Sequence, residues 1–305
     1  MHKSFRVVAV DMRGYGFSDH PSPSWWGSAE YDMETLVQDV RAMVPALGHQ
    51  QCVLVCHDWG AAIGWQVVQR FPALFSHMVC MSMPHPTCWA ANMGAAQLSK
   101  SWYIAFFNLP WIPELFVSRR NHFLTRKGVF NGGVMAARRK GAVQPDDIQA
   151  YCWNSSTPGT TTCALNYYRN LFTRNVMYSL LSGSQEDTLP TPVLSIIPDS
   201  DGAICRSTYS GQQHRVEDLW ELRLTNCSHW VPLDAPREVA AAMYDFLQVP
   251  PDKRLALADV GRVAAEPCTL AKFKGGNLLQ GGVSCPVPML DMKQGEVLGS
   301  IDPAG

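Results

Sequence analysis

The stretch VLVCHDWGAAIGW, residues Val53 to Trp65, constrains the fold more than any other part of the chain. An apolar run stops at His57-Asp58-Trp59-Gly60, and apolar residues resume at helical spacing over Ala61 to Arg70, before Pro72. That is the pattern of a strand, a sharp turn and a helix. Short buried runs recur at Arg6 to Val10, Met78 to Met83, Pro192 to Ile197 and Glu221 to Leu224. Helical spacing recurs from Met33 to Leu47, with Asp32 placed to cap it, and from Pro236 to Leu247. Strands alternating with helices predict an α/β protein with a mainly parallel sheet covered on both faces.

Between about Thr87 and Leu189 no buried strand is visible, and aromatic, helix-like segments dominate. The expected organisation is a core from residues 1–86 and 190–249, interrupted by a helical cap over 87–189. At 305 residues the chain is long enough for one large core carrying such an insertion. After Val249-Pro250-Pro251 the sequence turns rich in Gly, Pro and Lys without periodicity, so 250–305 is expected to be a loosely ordered tail.

A formal net charge of −1 and the shortness of the basic runs Arg119-Arg120 and Arg138-Arg139-Lys140 argue against a nucleic-acid partner. Ten cysteines without CxxC pairs fit reduced thiols and a cytoplasmic location, and argue against a zinc site. No apolar run approaches the roughly 20 residues of a membrane span. The opening MHKSFRVVAVD is too short in apolar residues for a signal peptide and runs into Asp11 and Arg13.

A strand-turn-helix elbow exposes its central side chain at the carboxyl edge of the sheet and aims the next backbone N–H at a developing oxyanion. Asp58 holds that central position, and Trp59 would supply the N–H. Cys56 and Gly60 occupy the flanking positions that must be small. Asp58 alone reads equally as a helix cap. His229 lies in Asn226-Cys227-Ser228-His229-Trp230-Val231-Pro232, after the last predicted strand of the parallel series. Loops after parallel strands share one edge of the sheet, so His229 falls beside the elbow. Pro198-Asp199-Ser200-Asp201-Gly202 follows another strand, and an acid there can orient a histidine. Asp201 is the preferred acid and Asp199 its rival.

These elements resemble the α/β-hydrolase fold, and within it the epoxide hydrolases. Cys56-His57-Asp58-Trp59-Gly60 is similar to the GHDWG elbow of that family, and Asp11-Met12-Arg13-Gly14-Tyr15-Gly16-Phe17-Ser18 to its DxRGxGxS loop. Leu165-Asn166-Tyr167-Tyr168-Arg169-Asn170 resembles the LNWYRN segment of the cap, which assigns Tyr168 as one epoxide-holding phenol, with Tyr167 as the neighbouring decoy. Tyr103 in YIAFFNLP matches the other. The resemblance covers roughly residues 5–248 and implies an epoxide substrate that is small and apolar, opened to a vicinal diol without cofactor or metal.

The resemblance implies two steps. Asp58, already ionised at neutral pH, attacks an epoxide carbon while Tyr103 and Tyr168 serve the leaving oxygen. His229, oriented by Asp201, then activates water against the ester, with Trp59 N–H receiving the oxyanion. The DxRGxGxS loop follows the fourth strand of the fold, yet begins here at residue 11. The first three strands and the HGxP loop, source of a second oxyanion donor, have no counterpart, and His85-Pro86 follows a later strand. The chain is therefore expected to be an N-terminally truncated version of the fold. Two alternatives stand beside the enzyme reading: an inactive α/β-hydrolase-like binding protein, and a haloalkane dehalogenase, which would hold halide with N–H donors such as the Trp59 indole.

Overall fold

A computed structural model of the chain describes residues 4–123, 126, 132–133, 135–173, 188–254, 260 and 263–284. Among the described residues, six strands form one sheet in the order β1 (Cys52–His57), β2 (Phe75–Met81), β3 (Val193–Pro198), β4 (Asp218–Leu224), β5 (Cys268–Lys274) and β6 (Asn277–Ser284). The first four are parallel, paired in the registers Cys56↔Cys80, Met81↔Ile196 and Ile196↔Leu222. Parallel pairing places the carboxyl ends of β1 to β4 along one edge, and all three candidate groups leave from there.

Helices cover both faces, as the buried strand composition requires. On one face, α1 (Met33–Ala46) and α2 (Trp59–Arg70) bury Leu36, Val37, Val44, Ile63, Val67 and Val68 against the sheet. Asp32 stands at the N-cap position of α1, but its side chain makes no capping hydrogen bond. On the other face, α10 (Pro236–Phe246), which follows the short α9 (Val231–Asp234), lays Val239, Ala242, Met243 and Phe246 on β2, β3 and β4.

Between β2 and β3 the described residues include the helices α3 (Pro86–Ala91), α4 (Ala95–Lys100), α5 (Trp102–Phe107), α6 (Ile112–Phe123), α7 (Pro145–Ser156) and α8 (Thr160–Thr173). The insertion is fastened to the loops after residue 11 by buried amides. Asn166 Oδ1 accepts from Ser24 N (3.3 Å) while its Nδ2 donates to Ser24 O (2.9 Å). Asn170 repeats the exchange with Ser28 at 3.1 and 2.8 Å. Arg169 pairs with both oxygens of Glu114 at 2.7 and 3.0 Å.

Two sequence expectations are corrected. Arg6 to Val10 forms no strand; its residues are exposed and pair with no neighbouring strand among the described residues. An apolar run alone does not make a strand, because the backbone still needs a ladder to bond with. The second correction concerns the tail. Within 250–305, β5 and β6 form an antiparallel hairpin that continues the sheet from β4, with Leu224↔Cys268 and Asp218↔Lys274 in register. The turn is Gly275-Gly276, with φ of 52° and 80°, the positive pair that a two-residue hairpin favours. Residues 255–259, 261–262 and 285–305 of the tail lie outside the described residues.

Candidate active site

β1 ends at His57, and α2 begins at Trp59, so a single residue turns the chain. Asp58 makes the turn with φ 53° and ψ −122°, a region that non-glycine residues rarely enter. Such strain persists only where the surroundings impose it, and it occurs at functional sites. The close approach of α2 to β1 permits the turn. A Cβ on Gly64 would sit 2.8 Å from Cys56 Sγ and 3.1 Å from Met78 Cε, so Gly64 must lack a side chain. Cys56, at a position where glycine is the expected residue, fits because its thiol tucks beneath Gly64. A Cβ on Gly60 would be 4.0 Å from Cys56, an ordinary contact, so the tight spot falls one helical turn later than the motif suggests.

The three strand ends converge. His229 Nε2 lies 3.0 Å from Asp58 Oδ1, and its Nδ1 lies 2.8 Å from Asp201 Oδ2. Asp201 is 4 % exposed, and its second oxygen accepts from Ala203 N (2.7 Å) and Ile204 N (2.9 Å). Its rival, Asp199, instead accepts from Asn226 N and Cys227 N, both at 3.1 Å, and so ties down the loop leading to His229. Helix α4 grips the Asp201 loop from above. Gln97 donates to Ala203 O (2.8 Å) and accepts from Cys205 N (2.7 Å), and Lys100 donates to Asp201 O.

The charges reinforce one another. Burial alone would raise the Asp58 pKa, but the hydrogen bond and charge of His229, then His57 and the Trp59 backbone N–H, lower it to about 2. Burial alone would lower His229, but the charge and hydrogen bond of Asp201, joined by those of Asp58, push it up to about 10. Both shifts favour a charged imidazole ring paired with the Asp58 carboxylate in the resting centre.

Asp58 faces a half-open cleft with about 520 Å³ of atom-free space, part of it continuous with solvent. Trp59, Tyr103 and Tyr168 line it with the apolar side chains of Ala62, Met83, Trp89, Ile104, Leu171 and Ile204. Tyr103 comes from α5 and Tyr168 from α8, with ring centroids 5.9 Å apart. Burial and the nearby Asp58 charge raise the pKa of both phenols, which keeps them protonated as donors. Tyr167 is spent elsewhere: its hydroxyl donates to Arg13 O at 2.7 Å.

The structure thus brings together Asp58, Asp201, His229, Trp59, Tyr103 and Tyr168, and sets Asp199 and Tyr167 aside. His85 lies apart, hydrogen-bonded to Thr87. The sequence motifs pass over Ser82 and His57, which contact the backbone of His229, and the apolar lining of the cleft. The pattern Met81-Ser82-Met83 carries no signal that its serine bonds a residue 147 positions away.

Comparison with known proteins agrees with this architecture. Residues 2–236 match the family model of the alpha/beta hydrolase fold. Epoxide hydrolase 3 of Xenopus tropicalis is 32% identical over 249 residues, which cover 80% of this chain and 64% of that protein. Epoxide hydrolase 2 of Caenorhabditis elegans is 32% identical over 244 residues, 79% of this chain and 66% of that protein. The chain thus spans just under two thirds of the length of these curated relatives. The crystal structure of Bacillus megaterium epoxide hydrolase in complex with an inhibitor superposes with a TM-score of 0.69 at 32% identity, covering 78% of this chain and 82% of that one. With its aspartate elbow, its acid and histidine on the following strand ends and its helical insertion, the chain belongs to the epoxide hydrolase family of α/β hydrolases.

Proposed function

We propose that the chain opens epoxides to vicinal diols through an ester on Asp58. The observation that carries this reading is the single histidine bridging Asp58 at 3.0 Å and Asp201 at 2.8 Å beside a cleft lined by two phenols. The named relatives, all epoxide hydrolases, support the substrate class.

In the first step an Asp58 oxygen attacks an epoxide carbon and the ring C–O bond breaks. The electron pair stays on the departing oxygen, which takes a hydrogen bond and then a proton from Tyr103 or Tyr168. Phenols suit this work because an alkoxide is a poor leaving group without a donor. Asp58 needs no base, because it is ionised far below neutral pH. The low pKa also marks it as a modest nucleophile, so positioning within the cleft carries much of the rate.

Ester formation removes the Asp58 charge and ends its ion pair with His229. Two of the influences that hold the imidazolium are then gone, so His229 can return its proton to the phenolate left by the first step and act as base. It takes a proton from a water that attacks the ester carbonyl, Trp59 N–H meets the oxyanion, and collapse releases the diol and restores the carboxylate. The apolar lining favours a small apolar epoxide. The helices between β2 and β3 then act as the cap that brings Tyr103 and Tyr168 over Asp58.

The test is trapping. His229→Gln protein incubated with styrene oxide should gain the mass of one epoxide, located by peptide mapping to Asp58. A folded His229→Gln protein that gains no mass from styrene oxide or from a panel of aliphatic epoxides would refute the reading.

A further inference from the structure

His229 is held not only through its ring. Its backbone carbonyl receives three hydrogen bonds, from Ser82 Oγ at 2.8 Å, from His57 Nε2 at 2.8 Å and from the nearby Val231 N at 2.9 Å. A carbonyl oxygen only accepts, so His57 Nε2 carries the proton and the tautomer of His57 is fixed. The two side-chain donors come from two strand ends: His57 closes β1, immediately before Asp58, and Ser82 follows β2. Ser82 is fully buried and adopts φ 56°, a conformation serine rarely takes. Its own N–H is bonded to Ile196 O at 3.2 Å, within β3. One strained serine thus ties together β2, β3 and the loop that bears His229. The ring of His57 also lies beside that of His229, with centroids 4.9 Å apart.

We propose that Ser82 and His57 are positioning residues that clamp the His229 carbonyl and serve the second half-reaction, hydrolysis of the ester, rather than its formation. The inference rests on the reading of His229 as the base. In the resting state three groups aim the imidazole: Asp201, Asp58 and the backbone clamp. Once Asp58 is esterified its ion pair with His229 is lost. The ring must then hold a water in line with the ester carbonyl while supported by Asp201 and by its own backbone alone. The clamp matters most at that moment, and losing its Ser82 donor releases the base without touching the nucleophile or the phenols.

Ser82→Ala removes one donor, and Ser82→Thr keeps the hydroxyl. In a two-step mechanism, slowing hydrolysis alone lowers kcat and KM together and leaves kcat/KM nearly unchanged. The clamp predicts that pattern for Ser82→Ala, with kcat down by up to about 10²-fold, as misplaced groups cost. The esterified fraction should rise in intact-protein mass spectra taken during turnover, and Ser82→Thr should restore both values. A parallel loss of kcat and kcat/KM without ester accumulation would overturn the proposal, as would unchanged kinetics. His57→Phe, which keeps a ring and removes the donor, applies the same test should Ser82→Ala fail to fold.

A second measurement separates this proposal from the activity it rests on. The low-field proton NMR signal of His229 Nδ1–H on Asp201, assigned by its loss in His229→Gln, should broaden in Ser82→Ala and sharpen again in Ser82→Thr. If no epoxide is turned over but the signal behaves so, the functional reading fails and the clamp stands. An unaltered signal in Ser82→Ala sinks the clamp whatever the activity.

Discussion

The hydroxyl of Tyr167 donates to the carbonyl of Arg13 at 2.7 Å, which ties one of two adjacent tyrosines to a loop backbone and leaves Tyr168 lining the cleft. Consecutive helical residues point about 100° apart, so one ring braces α8 against the loop that starts at Asp11 while the next lines the site. The two phenylalanine variants should therefore separate. Tyr168→Phe should fold normally and lose about 10²–10⁴ in the rate of ester formation, read by stopped-flow. Tyr167→Phe should keep most of that rate and lose about 1 kcal/mol of stability in urea unfolding, the usual worth of one hydrogen bond.

The two acids after β3 should separate as well. Asp201→Asn removes the charge that orients His229, so ester hydrolysis should fall by about 10³–10⁴ with the alkylated protein accumulating. Asp199→Asn leaves the triad intact and weakens only its bonds to Asn226 N and Cys227 N. Its cost should appear as a lower melting temperature with hydrolysis within several-fold of the parent. Single-turnover kinetics on both variants decide the assignment.

The ion pair predicts a direction for stability against pH. His229 is raised in the folded state, so its contribution is fully present below its ordinary value of about 6.5 and is lost as pH rises through about 10. Asp58 is lowered, so its contribution is present above 3.8 and lost as pH falls toward about 2. Thermal unfolding of the parent should therefore weaken relative to His229→Gln between pH 6.5 and 10. A difference between the two proteins that stays flat across that window would contradict the pair.

The contact beneath the elbow is open to a mutational cycle. Gly64→Ala places a methyl 2.8 Å from Cys56 Sγ and should destabilise by about 1–3 kcal/mol, the range for overpacking. Cys56→Ala removes that sulfur, so the double variant should recover part of the loss. Additive costs in chemical denaturation would mean that the two residues do not press on each other.

Much of this site was legible in the sequence because its groups follow strands. The runs before Asp58 and Asp201 are apolar and short, the one before His229 mixes leucines with charged residues, and parallel pairing brings all three ends to one edge. Tyr103 and Tyr168 were legible only through resemblance, since a tyrosine in an aromatic helix looks the same whether it packs or donates. Asp201 is preferred over Asp199 in the sequence on position alone; two residues apart on one loop, one meets the His229 ring and the other only the backbone of Asn226 and Cys227. Arg6 to Val10 was misread because β composition says nothing about whether a neighbouring strand exists to pair with. The hairpin at Gly275-Gly276 was missed although two adjacent glycines between short runs are a turn signal, because the flanking Lys and Asn residues hid the alternation. Ser82 left no trace, since its role depends on a φ of 56° that no residue type announces.

The central claim is that the oxygen added to the substrate comes from Asp58 and not directly from water. A single turnover in H₂¹⁸O with enzyme in excess measures this. The diol should be unlabelled and ¹⁸O should appear in the peptide that contains Asp58, because water attacks the ester carbonyl. Label in the diol after one turnover, with none in that peptide, would contradict it.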